Sequence, residues 1–167
     1  MSSAPLPGSE RHPAAAKEIR IQELGFLADR ETRKGAWCGM SEINTLIVDD
    51  SSVMRKIVER ALRQAGLDDS LVVHEASSGS EALDVLKGSK IDIILSDINM
   101  PVMDGLEFLR QKKALNLAPS VPVIMITTES SEEHVKQAIQ AGAVGYIRKP
   151  FTADQVKERV LPLLSMA

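Results

Sequence analysis

The sequence predicts an α/β fold, a doubly wound five-stranded parallel sheet with five helices. Three observations carry this. Apolar, β-branched runs alternate with amphipathic stretches five times from residue 44 onward. The linking segments are short, as in βαβ units. Two of the apolar runs, Asn44-Thr45-Leu46-Ile47-Val48-Asp49-Asp50 and Ile91-Asp92-Ile93-Ile94-Leu95-Ser96-Asp97, end in acid. Near-continuous apolar strands are the mark of a sheet covered on both faces.

The elements follow in order. Strand one spans about 44–49. The first helix carries Val53, Ile57, Val58, Ala61 and Leu62 on one stripe, with Gly66 as its stop. Strand two is Leu71 to Glu75. The second helix opens on a capping box, Ser78 and Glu81, buries Ala82, Val85 and Leu86, and stops at Gly88. Strand three is 91–96, and the third helix runs from about Gly105 to Leu115. Strand four is Pro122 to Thr127. The fourth helix is expected to open on Ser130 and Glu133, to carry Val135, Ala138 and Ile139, and to stop at Gly142. Strand five is about Val144 to Ile147. The fifth helix opens on Thr152 and Gln155, and Pro162 is expected to kink or end it.

Residues 1–40 differ in composition, being rich in Pro, Ser, Gly and Ala and then in mixed charge. We read them as a disordered or weakly helical extension, and 41–167 as the folded domain. Met40 directly precedes strand one, which raises the expectation that it is the natural start; a partner-binding or targeting tail is the alternative. The formal net charge of -3 gives no general case for nucleic acid or an anionic membrane. A single cysteine, Cys38, allows no internal disulfide. No apolar stretch is long enough to span a bilayer, and the expected location is cytoplasmic.

In open α/β sheets, ligands collect beyond the carboxyl ends of the strands. If strands one and three are neighbours, Asp49, Asp50 and Asp97 meet in one pocket. At an effective dielectric near 20, each pair of carboxylates about 4 Å apart costs about 4 kcal/mol. Such a site holds a divalent cation, shares a proton, or carries a fixed cation nearby. Oxygen ligands favour Mg²⁺. Thr127 closes strand four and Lys149 follows strand five, so a hydroxyl and an ammonium reach the same edge, both suitable donors to phosphoryl oxygens.

The segments Val48-Asp49-Asp50, Ser96-Asp97-Ile98-Asn99-Met100-Pro101-Val102-Met103-Asp104-Gly105, Ile126-Thr127-Thr128 and Gly145-Tyr146-Ile147-Arg148-Lys149-Pro150-Phe151 together resemble a two-component response regulator receiver domain, over residues 43–165. The resemblance is strongest to single-domain chemotaxis regulators, whose first helix is similar to Ser51–Val58. It implies a flavodoxin-like sheet of order 2-1-3-4-5. It also implies that Asp97 accepts a phosphoryl group from a histidine kinase. Asp50, Asp97 and the Asn99 main-chain carbonyl would bind Mg²⁺, with Asp49 acting through a metal-bound water. Thr127 and Lys149 would contact the phosphoryl oxygens. Thr127 and Tyr146 would form the switch, and the face made by helix four, strand five and helix five would meet a protein partner. Asn99 and Glu129 stand at positions that tune phosphoryl lifetime, where Thr128 could restrict water. A monomeric switch without separate substrate turnover is expected. The readings weighed against it are a degenerate receiver that binds partners without phosphorylation, and a haloacid dehalogenase-like phosphatase. The latter would place an acid where Asn99 stands. Asp104 is expected to be structural or a helix cap, and Met100, Met103 and Met125 to fill gaps in the core.

Overall fold

The computed structural model describes residues 42–129 and 131–165. The proposed extension of residues 1–40, Cys38 and the reading of Met40 as a start all lie outside the described residues.

Five strands form one parallel sheet in the order β2-β1-β3-β4-β5. They are β1 (Ile43–Val48), β2 (Leu71–Ala76), β3 (Ile93–Ser96), β4 (Val123–Thr127) and β5 (Gly145–Arg148). The helices are α1 (Ser52–Leu62), α2 (Gly79–Gly88), α3 (Gly105–Ala114), α4 (Glu132–Gln140) and α5 (Ala153–Ser165). This is the architecture the sequence predicts.

Strand periodicity sorts the core into two layers. Leu46 and Val48 of β1, Ile94 of β3, and Val123 and Met125 of β4 pack with α2, α3 and α4 through Leu83, Phe108, Leu109 and Ala138. Ile43 and Ile47, Ile93 and Leu95, and Ile124 and Ile126 pack with α1 and α5 through Val58, Leu62, Val156 and Val160. Alternate residues of β1, β3 and β4 thus serve opposite faces, and both faces of the sheet's centre are apolar.

The helix ends follow local chemistry. Ser51 caps α1 by accepting the Met54 N–H, and the helix closes in a wider π turn over Arg63–Leu67, where Gly66 adopts a φ of 109°. Ser78 caps α2, while Glu81 reaches back to the Ser77 N–H and hydroxyl. Asp104 caps α3, as expected, by accepting the Glu107 N–H at 2.8 Å. Thr152 and Gln155 form the reciprocal box of α5.

Several expectations need correction. The α1 stripe is narrower than predicted: Val58, Ala61 and Leu62 are buried, but Val53 and Ile57 are exposed. Ile57 directly precedes the buried Val58, so the helix turns a narrower face to the sheet than the apolar stripe suggests. On α4, Ala138 is buried while Ile139 is 60% exposed. The cap of α4 is Ser131, which accepts the His134 N–H; Ser130 lies outside the described residues. On α2, Leu83 joins Ala82 and Leu86 in the core, whereas Val85 is only partly buried. Pro162 does not end α5, which continues to Ser165. The packing of Val160 and Leu164 on the sheet outweighs the one lost hydrogen bond.

Candidate functional site

Register places the acids. Val48 pairs with Ser96 across β1 and β3, and the Asp97 N–H donates to the Val48 carbonyl at 2.8 Å. Asp49 and Asp97 therefore leave adjacent strands at one level. Asp49, Asp50 and Asp97 each present a carboxylate oxygen within 4.8 Å of the other two. Asp49 and Asp97 are buried and Asp50 is exposed, so the pocket opens to solvent on the Asp50 side.

Main-chain turns orient each buried acid. Asp49 Oδ1 accepts the Ser51 N–H at 2.9 Å, and Asp97 Oδ1 accepts the Ile98 N–H at 2.7 Å and the Asn99 N–H at 3.4 Å. Arg55, one turn into α1, donates to the Asp49 carbonyl at 2.6 Å. The sequence reading missed Arg55, because a bond from a helix side chain to a main-chain oxygen six residues back leaves no motif.

Lys149 resolves the electrostatic question. Its ammonium donates to Asp49 Oδ2 at 2.8 Å and to Asp97 Oδ2 at 3.2 Å. Burial pushes this ammonium down, but the Asp49 hydrogen bond and the Asp97 charge outweigh it and leave the pKa raised. Of the three ways to relieve carboxylate repulsion, a fixed cation is present. It neutralises one charge of three and leaves the cluster anionic. The remaining field and the all-oxygen donor set fit a hard divalent cation, and Asp50 is the acid placed to meet it from solvent.

Thr127 ends β4 fully buried, and its Oγ1 accepts the Glu129 N–H at 3.2 Å. The hydroxyl proton remains to be donated elsewhere. The Lys149 N–H donates to the Thr127 carbonyl at 2.9 Å, so the ends of β4 and β5 are locked together. Tyr146 pairs with Met125 across these strands and packs against the core layer shared with α2, α3 and α4. Its hydroxyl is buried without a hydrogen-bond partner among the described residues. Burial, and then the Glu129 charge, raise its pKa. The structure thus brings Asp49, Asp50, Asp97, Thr127 and Lys149 to one edge. Asn99 lies exposed beside Asp97, Thr128 is exposed, and Glu129 stands on the β4–α4 loop.

Such a sheet, with an acid trio, a lysine and a threonine converging beyond its strand ends, defines an α/β domain built around an acidic, cation-ready pocket. The chain belongs to the response regulator receiver domain family, which it matches over residues 45–161. It is 44% identical over 115 residues to the chemotaxis protein CheY-3 of Vibrio cholerae, covering 69% of this chain and 86% of that protein. It is 42% identical over 120 residues to a CheY homolog of Campylobacter jejuni, covering 71% and 90%. Among solved structures, it resembles V. cholerae CheY4 with a TM-score of 0.66 and 34% identity, covering 74% of this chain and all of that one. A CheY-like receiver domain from Methanospirillum hungatei matches with a TM-score of 0.66 and 30% identity, covering 75% and 96%. Two-component signalling is the setting these relatives share, and no described helix is long and apolar enough to cross a membrane.

Proposed function

We propose that this protein is a phosphorylation-dependent switch in a His-Asp phosphorelay, with Asp97 as the phosphoacceptor. The observation that carries the reading is Lys149 bridging Asp49 and Asp97, with Asp50 and Thr127 at the same strand edge. An Asp97 carboxylate oxygen attacks the phosphorus of a phosphohistidine on a histidine kinase. The new O–P bond forms as the N–P bond breaks, and the imidazole leaves with its electron pair. The complete residue set favours this over a degenerate receiver.

Asp49, Asp50, Asp97 and the Asn99 main-chain carbonyl would hold Mg²⁺, Asp49 through a water. When bound, the metal supplies charge neutralisation and alignment of the incoming phosphoryl oxygens. Lys149 transfers its donation from the carboxylates to a phosphoryl oxygen, and the free proton of Thr127 serves another. That use of Thr127 draws on the end of β4, to which Tyr146 is paired, so Thr127 and Tyr146 act as the switch. Asn99 and Glu129, two residues beyond Asp97 and Thr127, tune how fast water removes the phosphoryl group.

The output acts on a protein partner through α4, β5 and α5, where Ile139 and Val144 already stand exposed. We read the protein as a cytoplasmic monomer of the chemotaxis type, with no nucleic acid or membrane ligand and no substrate turnover. The test is incubation with acetyl phosphate and Mg²⁺ followed by intact mass measurement. One phosphoryl increment is expected, lost in Asp97→Asn and on chelation of the metal; an equal increment in Asp97→Asn would overturn the assignment.

A further inference from the structure

The β4–α4 loop carries a polar cluster around Glu129 in which His134 and Ser131 have no part in the chemistry above. The Glu129 main chain is fixed beside the Thr127 hydroxyl by its N–H bond. Its carboxylate Oε1 lies 3.4 Å from Nδ1 of His134, in the first turn of α4. The same Nδ1 meets the Ser131 hydroxyl, which also accepts the His134 N–H as the cap of α4. Both neighbours of Nδ1 are therefore oxygens. A proton on Nδ1 makes both contacts attractive, whereas a lone pair there would repel the carboxylate. No spacing in the sequence marks this pair, since it spans a strand end, a loop and a helix turn.

We infer that His134 is a positioning residue that ties the Glu129 carboxylate to the first turn of α4 and so holds it off the mouth of the acid pocket. The inference rests on the phosphoacceptor reading, because what His134 then sets is the lifetime of the phosphoryl group on Asp97. Glu129 has a long side chain rooted two residues beyond Thr127. Released from the imidazole, its carboxylate sweeps the solvent side of the pocket, where water must enter. There it accepts a proton as water attacks phosphorus. The water O–P bond forms, the Asp97 O–P bond breaks, and the products are the Asp97 carboxylate and inorganic phosphate. Burial first, then the Glu129 charge and more weakly the Asp97 charge, raise the pKa of Tyr146, so both carboxylates act on the one ring.

The full chain is phosphorylated with acetyl phosphate and Mg²⁺, the donor is removed, and loss of the phosphoryl group is followed over time. His134→Leu is expected to lose it about two- to fivefold faster, the low end of what one half-exposed hydrogen bond to a carboxylate is worth. His134→Gln, whose carboxamide can donate to Glu129, is expected to return to the wild-type rate. In a Glu129→Ala background His134→Leu is expected to add nothing. Several results would overturn the inference while leaving the phosphoacceptor reading intact: a His134→Leu rate equal to wild type, no rescue by His134→Gln, or a His134→Leu effect that persists without Glu129. A chain that takes up no phosphoryl group overturns the phosphoacceptor reading and the inference with it. Should His134→Leu unfold, the comparison of His134→Gln with Glu129→Ala carries the test.

Discussion

Gly105 lies directly against the main-chain carbonyl of Asp97, so that a Cβ at position 105 would overlap that oxygen and press Met125 Cε at 2.8 Å. The Gly105 N–H also donates to the Ile98 carbonyl at 2.8 Å, closing the loop from β3 into α3. The start of α3 is thus seated on the main chain of the proposed phosphoacceptor.

Gly105→Ala should therefore act on the site as well as on stability. The overlap is with main chain, which cannot rotate away, so the loop must move. We expect a loss of about 1–3 kcal/mol in denaturant unfolding and slower labelling of Asp97 by acetyl phosphate. Wild-type labelling in the alanine variant would show that the loop shifts without disturbing the carboxylate.

Lys149 gives the pH prediction. Its folded-state pKa is raised, so its contribution to stability is fully present below the unfolded value near 10.5 and is lost as pH rises through the folded value. Lys149→Met should lower metal-free stability at neutral pH, because Asp49 and Asp97 then face each other uncompensated. The gap between wild type and variant should close as pH rises beyond about 10.5. A gap that widens there would mean that Lys149 does not hold the pair together.

Metal binding draws on the same oxygens. Millimolar Mg²⁺ should raise the wild-type melting temperature, by about 1–3 kcal/mol of stabilisation if the dissociation constant lies one to two decades below the metal concentration. Lys149→Met should gain at least as much from Mg²⁺ as wild type, since Asp49 Oδ2 and Asp97 Oδ2 are released from the ammonium. Differential scanning fluorimetry with and without chelator checks both. No shift in either protein would remove the metal from the proposed function.

Val102 stands 94% exposed in the β3–α3 loop with a φ of 69°. A β-branched residue in this region carries about 1–2 kcal/mol of strain, and exposure returns no packing for it. Val102→Asn should relieve part of the strain, because asparagine tolerates this conformation. We expect a melting temperature higher by about 2–6 °C, with labelling of Asp97 retained. A lower melting temperature would mean that the loop is held by something other than the backbone preference of residue 102.

The strand-helix alternation, the caps at Ser78, Asp104 and Thr152, and the acid-ended strands were legible from residue types alone, because each depends on neighbours within a few positions. The five site residues were legible as strand-end chemistry, and the family resemblance supplied their roles. What could not be read depends on contacts between distant parts of the chain. Val53, Ile57 and Ile139 match buried residues in periodicity, yet they stand in solvent, because which apolar positions are covered depends on how each helix packs on the sheet. Ser131 caps α4, a choice among neighbouring serines that local composition does not decide.

Sequence by itself determined that this chain folds as a parallel α/β sheet and that its strand ends carry acid, a hydroxyl and an amine. Only tertiary structure decided that the amine pairs with two of the acids across 100 and 52 residues of chain, that Arg55 buttresses Asp49, and that His134 meets Glu129. The physical reason is that hydrophobic periodicity is a local property of the chain. The Coulomb energy of a pocket is set by distances that exist only once β1, β3, β4 and β5 lie side by side.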